Sequence, residues 1–338
     1  MNGPRTSTAA GPGTVELSFV DLRGRRHLWR AEPGPARPRP ASAVSTRPVR
    51  SACGRQAVLL WVPAALASQL PEACTELENE VRVAHRLLDR FAGGHPAEIA
   101  EVIGHDLDAP EPFVLVEPPR GRPVLEVAGR LGVADRDGFE RGLFRALCCL
   151  AAVGMVHGDL TPLSVRWDVA SRSVQIRDFA HAAATGEPVA ARPPAAIPGW
   201  SHPPVERLAS PATDVWAAGQ LVLHVATGQA DPAGLEHRGA ALRALLDGVF
   251  DASAPARPDA RAVLRRLSAR PPVPAPPTES AERFEAGRRL FDTIMAARAA
   301  GRPAACLSPG RRALLSLVGA GLAVLALIAF VAVWGGPS

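Results

Sequence analysis

The sequence predicts an α+β protein with a strand-rich front region, a helical back region and one transmembrane helix. Alternating apolar and polar runs before residue 117 are typical of strands, and the apolar spacing after that position is helical. Residues 313–334 are 22 positions without a charged side chain. At about 1.5 Å per residue such a helix crosses the roughly 30 Å hydrocarbon core of a bilayer. The front and back regions are expected to form two lobes with a ligand-binding cleft between them.

The composition argues against a nucleic-acid-binding protein and against a disulfide-rich one. The chain is 47% hydrophobic and 21% charged, with a net charge of +5, and all 38 of its basic residues are arginine. The arginines are dispersed and no zinc-finger or RNA-binding signature occurs, so no nucleic-acid partner is expected. The five cysteines form no C-x-x-C pair and leave an odd number, which indicates reduced thiols rather than a disulfide framework.

In the front region, residues 1–14 are expected to be a disordered polar tail. The run "VELSFVDLRGRRHLW" alternates around Arg23-Gly24-Arg25, which predicts a hairpin. The proline-rich run "AEPGPARPRPASAVSTRPVRSACGRQ" is expected to lack regular structure. Strands are predicted at Ala57–Val62 and in "PFVLVE", which ends at Glu117. Between them, an amphipathic helix from about Glu72 to Phe91 is indicated by apolar residues at helical spacing: Leu77, Val81, Ala84 and Leu88.

In the back region, "GFERGLFRALCCLAAVG" and "TDVWAAGQLVLHVATG" are predicted helices on either side of the segment "GMVHGDLTPLSVRWD". Residues 269–312 are interpreted as a linker and a second amphipathic helix. The linker contains the stiff run "PPVPAPP", and the helix covers Ser280–Ala299. The apolar stripe of that helix fits two sites, a membrane surface or the surface of the domain itself.

The position of the apolar segment 313–334 indicates how the chain meets the membrane. Arg311 and Arg312 precede the segment and only the tail 335–338 follows it, so the positive-inside rule places the N-terminal part in the cytoplasm and the tail outside. The expected location is therefore the cell membrane, in a single pass. Small residues along one face of this helix are consistent with a homodimer or with random placement in an alanine-rich segment: Ser316, Gly319, Ala320 and Ala323.

Two motifs in the back region carry a family resemblance. His157-Gly158-Asp159-Leu160 is followed about twenty residues later by Asp178-Phe179-Ala180. Their order and spacing resemble the H-R-D-L-x-x-x-N and D-F-G motifs of protein kinases. Over about residues 55–268 the chain is similar to the bacterial membrane-anchored Ser/Thr kinases of the eukaryotic type, and "TDVWAAG" and "PARPDARAVLRRL" resemble later segments of that family. The resemblance implies a two-lobed protein-kinase-like fold, with a degenerate small lobe at 15–117 and a large lobe at 118–268.

The resemblance assigns roles to individual residues. Asp159 stands at the position of the catalytic base. Asp178 and Ser164 stand at the positions of magnesium ligands and, together with Glu117, would contact ATP. A structural set is also implied. In it Asp214 accepts backbone N–H bonds from the catalytic loop, Glu206 and Arg257 form a buried ion pair, and His157 is a packed, hydrogen-bonded core histidine.

The chain departs from the family where phosphate is handled. No G-x-G-x-x-G precedes Ala57, and the strand that carries the family's lysine offers Leu60 or Trp61. No lysine exists elsewhere, although Arg55 is a cation within the front region. Glu80 is therefore interpreted as a helix-surface acid, with Glu76 and Glu78 as equal matches. Three more positions differ from the family: Thr161 stands where the family has a lysine, Ser164 where it has an asparagine and Ile197 where it has a threonine. At about 3 kcal/mol for each lost donor, these changes slow phosphoryl transfer by roughly 10⁴-fold or more.

These observations predict a membrane-anchored pseudokinase that acts as a scaffold or allosteric partner of other signalling proteins, with weak or absent binding of ATP and magnesium. The alternative is an active, divergent Ser/Thr kinase with Asp159 as the base, Asp178 and Ser164 on the metal ion, and an arginine in place of the lysine. A third interpretation is small-molecule phosphorylation, because His-Gly-Asp also occurs in aminoglycoside and choline kinases. Thr185 and Ser201 are either phosphorylation sites or ordinary loop hydroxyls, and the chain has no tyrosine.

Overall fold

The computed structural model describes residues 13–39, 42–69, 71–91, 94–189, 200, 207–272 and 287. The strands are β1 Val15–Val20, β2 Arg26–Pro33, β3 Arg37–Pro38, β4 Ser45–Ser51, β5 Gln56–Trp61, β6 Val102–Asp106, β7 Phe113–Val116, β8 Arg122–Pro123, β9 Met155–Val156, β10 Val165–Asp168, β11 Ser173–Ile176 and β12 Ala183–Ala184. The helices are α1 Ala64–Ala67, α2 Pro71–Arg90, α3 Val124–Val127, α4 Val133–Ala152, α5 Pro211–Thr227, α6 Ala240–Leu245 and α7 Ala260–Arg266, with short 3₁₀ turns at Pro232–His237 and Ala254–Ala256.

The N-terminal region is a closed antiparallel sheet. Its strands follow the order β2-β1-β6-β7-β5-β4, and β2 also pairs with β4, so that six strands close on themselves while β3 extends β4. The β1–β2 connection confirms the predicted hairpin. The Asp21 carboxylate accepts the N–H groups of Arg23 and Arg25, and Gly24 supplies the positive φ of 77° that the turn requires.

The closed sheet corrects two predictions. The proline-rich segment was expected to lack regular structure, yet it contains β3 and β4, and β4 bridges β2 and β5. Pro48 lacks a donor, but its carbonyl accepts the N–H of Gly34, and neighbouring Val49 is buried inside the sheet. Because this pairing closes six strands, the prediction of a two-lobed protein-kinase-like fold was wrong.

No helix within the described ranges is long and apolar enough to cross a membrane. The predicted transmembrane segment 313–334 and the tail 335–338 lie outside the described residues. The same holds for the amphipathic helix Ser280–Ala299, except at Gly287, and for residues 1–12 of the predicted tail.

Two apolar layers hold the N-terminal region together. The interior of the closed sheet is filled by alternating residues of its strands, including Phe19, Trp29 and Leu115. The outer face of β5, β6 and β7 is covered by α2, whose Leu77, Val81 and Ala84 are buried as predicted. The strands predicted at Ala57–Val62 and in "PFVLVE" are confirmed as β5 and β7, and the helix predicted from about Glu72 to Phe91 is confirmed as α2.

The C-terminal region has its own core around α4 and α5, which confirm the two helices predicted on either side of the His-Gly-Asp motif. Trp167 of β10 is fully buried at the centre and makes an edge contact with Phe139 of α4. Leu87 of α2 and Phe91, which directly follows α2, join the same cluster. The long helix α2 therefore packs against both regions, and its side chains bind the Asp178-Phe179-Ala180 segment.

We expect Cys53 to react with iodoacetamide faster than Cys148 and Cys149, because the thiolate is the nucleophile. Cys53 is exposed, and hydrogen bonds with the Ser51 hydroxyl (3.1 Å) and the Arg55 N–H lower the pKa of its thiol. Burial raises the pKa of Cys148 to about 11 and that of Cys149 to about 12. Peptide mass spectrometry measures the three labelling rates. Ser51→Ala should slow the reaction of Cys53, and equal rates at all three thiols would contradict the prediction.

Candidate functional site

The His-Gly-Asp turn follows β9 and is fixed by a carboxylate from α5. Asp214, in the first turn of α5, is buried and accepts the N–H groups of His157 (2.7 Å) and Gly158 (2.9 Å). Gly158 has a φ of 78°, a conformation that glycine adopts without strain. Without these two bonds the N–H groups would be buried and unsatisfied, so Asp214 determines the backbone path of the turn.

His157 is fully buried, and both of its ring nitrogens have backbone partners. Nδ1 accepts the N–H of Asp159 (3.2 Å), so Nε2 carries the proton and donates it to the carbonyl of Arg177 (2.9 Å). The ring also packs 4.8 Å from that of Phe179, measured between centroids. His157 thus connects the turn to the Asp178-Phe179-Ala180 segment and has a structural role.

The hydroxyl groups after Asp159 bind the loop itself. Ser164 is buried, and its Oγ accepts the N–H of Thr161 (2.9 Å) and donates to the carbonyl of Asp159 (3.2 Å). The Thr161 hydroxyl accepts the N–H groups of Leu163 and Ser164, both at 3.3 Å. The side chain predicted as a metal ligand is therefore turned toward its own backbone.

Asp178 is paired with an arginine that the sequence analysis missed. Its backbone lies at φ 72°, which aspartate tolerates better than most residues, and its carboxylate contacts the guanidinium of Arg39. Nη2 of Arg39 also lies 3.8 Å from Oε1 of Glu80. Arg39 follows β3 in the proline-rich segment. The signal available in the sequence was the lack of lysine, which leaves arginine as the cation for any buried acidic site.

Side chains of α2 bind the backbone that follows Asp178. Oε1 of Glu80 accepts the N–H of Phe179 (2.9 Å), and Asn79 donates to the carbonyl of Ala180 (2.7 Å). Arg82 makes two bonds with the carboxylate of Glu187, at 2.8 and 3.1 Å. The interpretation of Glu80 as a helix-surface acid was wrong: Glu80 is 3% exposed, because α2 packs over this segment.

Burial dominates the electrostatics of the site. It raises the pKa of Glu80, although the charges of Arg39 and Arg177 oppose this effect. It also lowers the pKa of Arg39, against the attraction of Glu80, Glu76 and Asp159. For Arg177, burial lowers the pKa to about 10. The guanidinium and carboxylate groups are therefore desolvated together, and each stabilises the charged form of the other.

Glu117, at the end of β7, lies in a hydrogen-bonded group with β11. Its Oε1 accepts from the side chain of Gln175 (2.8 Å) and more weakly from the N–H of Glu101 (3.3 Å). Its carbonyl accepts a bond from Nη1 of Arg177 (2.9 Å). These contacts join the closed sheet to the C-terminal region beside the Asp178 segment.

The remaining assigned residues lie elsewhere. The guanidinium of Arg257 donates to the carbonyls of Asp251 (2.8 Å) and Ala212 (3.2 Å) and stacks on Trp216; its assigned partner Glu206 lies outside the described residues. Arg55 stacks on Trp29 of the closed sheet, so the cation that reaches Asp178 is Arg39. Thr185 is exposed. Ile197 and Ser201 lie outside the described residues.

The site brings together Asp178, Glu80 and Arg39, with Asp159 close enough to influence the pKa of Arg39. Within the described ranges, no group of three or more His, Cys, Asp or Glu side chains is arranged to hold a metal ion. Neither the protein-family models nor the curated proteins include a match to this chain. The function of the chain is therefore inferred from the geometry of the site.

Proposed function

We propose that the chain is a non-catalytic regulator that acts as a scaffold or allosteric partner in a signalling complex. The observation that carries the proposal is the ion pair of Asp178 with Arg39. A carboxylate that would hold a metal ion is occupied by a guanidinium from the same chain. The role of Asp178 as a metal ligand is implied by the sequence resemblance, and its pairing with Arg39 is seen in the structure.

The loop hydroxyls support the same proposal. Phosphoryl transfer depends on metal ions and donors placed around the transferred phosphate. The hydroxyl groups of Ser164 and Thr161 instead form hydrogen bonds with the backbone of their own loop. No lysine is present anywhere in the chain. These hydrogen bonds hold the loop in one conformation. They leave few donors to stabilise the negative charge that develops on the phosphate during phosphoryl transfer.

The contacts of the turn favour a rigid recognition element. Asp214, His157, Glu80 and Asn79 all bind backbone groups of the turn or of the Asp178 segment. Satisfied buried networks of this kind hold a single conformation. A scaffold needs a surface of fixed shape, which such a frame provides to other signalling proteins.

The alternative of an active, divergent Ser/Thr kinase has one specific observation in its favour. Arg39 places a positive charge beside both Glu80 and Asp178, where the alternative requires a cation. In that case Arg39 would bind the phosphates of ATP, Asp178 would hold magnesium and Asp159 would take the proton from the substrate hydroxyl. Arg39 would then be necessary for nucleotide binding.

Phosphoryl transfer by the purified full-length protein separates these functions. With radiolabelled ATP and either Mg²⁺ or Mn²⁺, we expect no transfer to the chain itself or to a generic protein substrate. Asp159→Ala serves as the control for contaminating activity. Transfer by the wild-type protein that disappears in Asp159→Ala would overturn the proposal and favour the kinase.

The proposed setting is the cytoplasmic face of the cell membrane. It rests on the sequence of segment 313–334, which lies outside the described residues. Membrane fractionation tests it: we expect the full-length protein in the carbonate-resistant pellet, and recovery in the supernatant would contradict a membrane-spanning anchor.

A further inference from the structure

Three residues near the end of β3 contact the site or α2: Arg39, Ser42 and Val44. Beyond Arg39 itself, the hydroxyl of Ser42 donates to Oε2 of Glu76 on α2 (2.5 Å) and accepts the N–H of Val44 (2.9 Å). Val44 is 1% exposed and packs in the apolar layer beneath α2. Ser42 and Val44 are therefore attached to α2 a few residues beyond Arg39.

The guanidinium lies between acids of unequal exposure. The Glu80 side chain is 4% exposed, that of Arg39 is 15% exposed, and that of Asp178 is 36% exposed. Solvent therefore reaches the ion pair from the side of the Asp178 carboxylate. A divalent cation accompanying a nucleotide would approach from that side and meet a carboxylate already bound to Arg39.

We propose that Arg39 is a tethered inhibitor, which occupies the cation position beside Asp178 and must withdraw before a magnesium nucleotide can bind. The proposal rests on the function proposed above and adds the regulation of the same site. A partner that draws Arg39 away from Asp178 would open the site, and release of the partner would close it again.

The balance of charge explains how a closed site can open. Burying a guanidinium removes its hydration, and the attraction of nearby carboxylates offsets that cost only in part. Burial accordingly lowers the pKa of Arg39 despite three acidic neighbours. Opening of the site would restore the hydration of the guanidinium, which offsets part of the attraction that is lost. A ligand that binds only the open state has its apparent affinity reduced by the open fraction, about 100-fold when 1% of the molecules are open.

Three full-length variants test this inference by titration with a fluorescent ATP analogue and Mg²⁺. Arg39→Gln removes the cation and keeps a polar side chain. Ser42→Ala keeps the cation but loses the hydrogen bond to Glu76. Arg37→Ala is the matched control, because it removes one exposed positive charge two positions away on β3.

We expect Arg39→Gln to bind the nucleotide at least about 10-fold more tightly than the wild type, Ser42→Ala to show a smaller gain, and Arg37→Ala to match the wild type. The gain should disappear when Asp178→Asn is added to Arg39→Gln. Weaker binding by Arg39→Gln would overturn the inference and identify Arg39 as a phosphate ligand. If Arg39→Gln does not fold, Ser42→Ala decides, and a lack of gain there overturns the inference.

The two proposals fail in different ways. Phosphoryl transfer by the wild-type protein would refute the non-catalytic function. A wild type that transfers no phosphate, together with Arg39→Gln and Ser42→Ala variants that gain no nucleotide affinity, would refute the inhibitor role of Arg39 and leave the proposed function intact.

Discussion

Replacing Asp214 with alanine is expected to lower the free energy of unfolding by about 2–6 kcal/mol, since it leaves two buried donors without an acceptor at roughly 1–3 kcal/mol each. The carboxylate accepts the N–H groups of His157 and Gly158 at 2.7 and 2.9 Å and is 4% exposed. Alanine cannot accept either bond, and water has little access to replace them. Asp214→Asn retains one acceptor oxygen, so its loss should be smaller.

Chemical denaturation monitored by tryptophan fluorescence measures the change. Asp231→Ala is the matched control. That carboxylate also accepts a backbone N–H, from Ala233 at 3.0 Å, but it is exposed and caps the start of a short 3₁₀ turn. Its loss should cost about 1 kcal/mol or less. Equal effects of Asp214→Ala and Asp231→Ala would show that the buried turn does not depend on Asp214.

Trp167→Ala is expected to lower the free energy of unfolding by about 3–5 kcal/mol, because it leaves a large cavity at the centre of the C-terminal core. Trp167 is fully buried on β10, and its ring meets Phe139 edge-on with centroids 6.1 Å apart. A Cβ added to Gly138 of α4 would lie 3.1 Å from the same ring, so α4 approaches closely and has little room to collapse into the cavity.

Trp167→Phe provides the control and a sharper test. The indole N–H of Trp167 is buried and has no hydrogen-bond partner among the described residues. Phenylalanine removes that unsatisfied donor while keeping most of the apolar contact, so the two effects oppose each other. We expect a change within about 1.5 kcal/mol of the wild type in the same denaturation experiment. A loss as large as that of Trp167→Ala would contradict this balance.

Asp214 belongs to a continuous set of contacts that runs from α5 to α2. Arg39 pairs with Glu80, Glu80 binds the N–H of Phe179, and Phe179 packs against His157, whose N–H is held by Asp214. A change at α2 therefore has physical contacts through which it reaches α5. Whether the two ends are energetically coupled is measurable with a double-mutant cycle of Arg39→Gln and Asp214→Asn, for which we expect a non-additive change in stability.

The local elements followed from local patterns. Alternation predicted the β1–β2 hairpin, and apolar spacing predicted α2, α4 and α5, because an element with one apolar face needs no information about its distant partners. The resemblance of the motifs also led to Asp214, whose carboxylate accepts N–H groups of the 157–158 turn in the structure. The composition established that any cationic side chain in a buried acidic site would be arginine or histidine.

Only the tertiary structure decided how the strands form a closed sheet and which charged side chains pair. The strand β4 lies in a segment whose prolines argue against regular structure, and pairing with both β2 and β5 overrides that local preference. Glu80 is buried because α2 packs over the Asp178 segment, and Arg39 reaches Asp178 from a distant part of the chain. Burial and pairing depend on residues far apart in sequence, so the neighbours of a residue along the chain do not determine them.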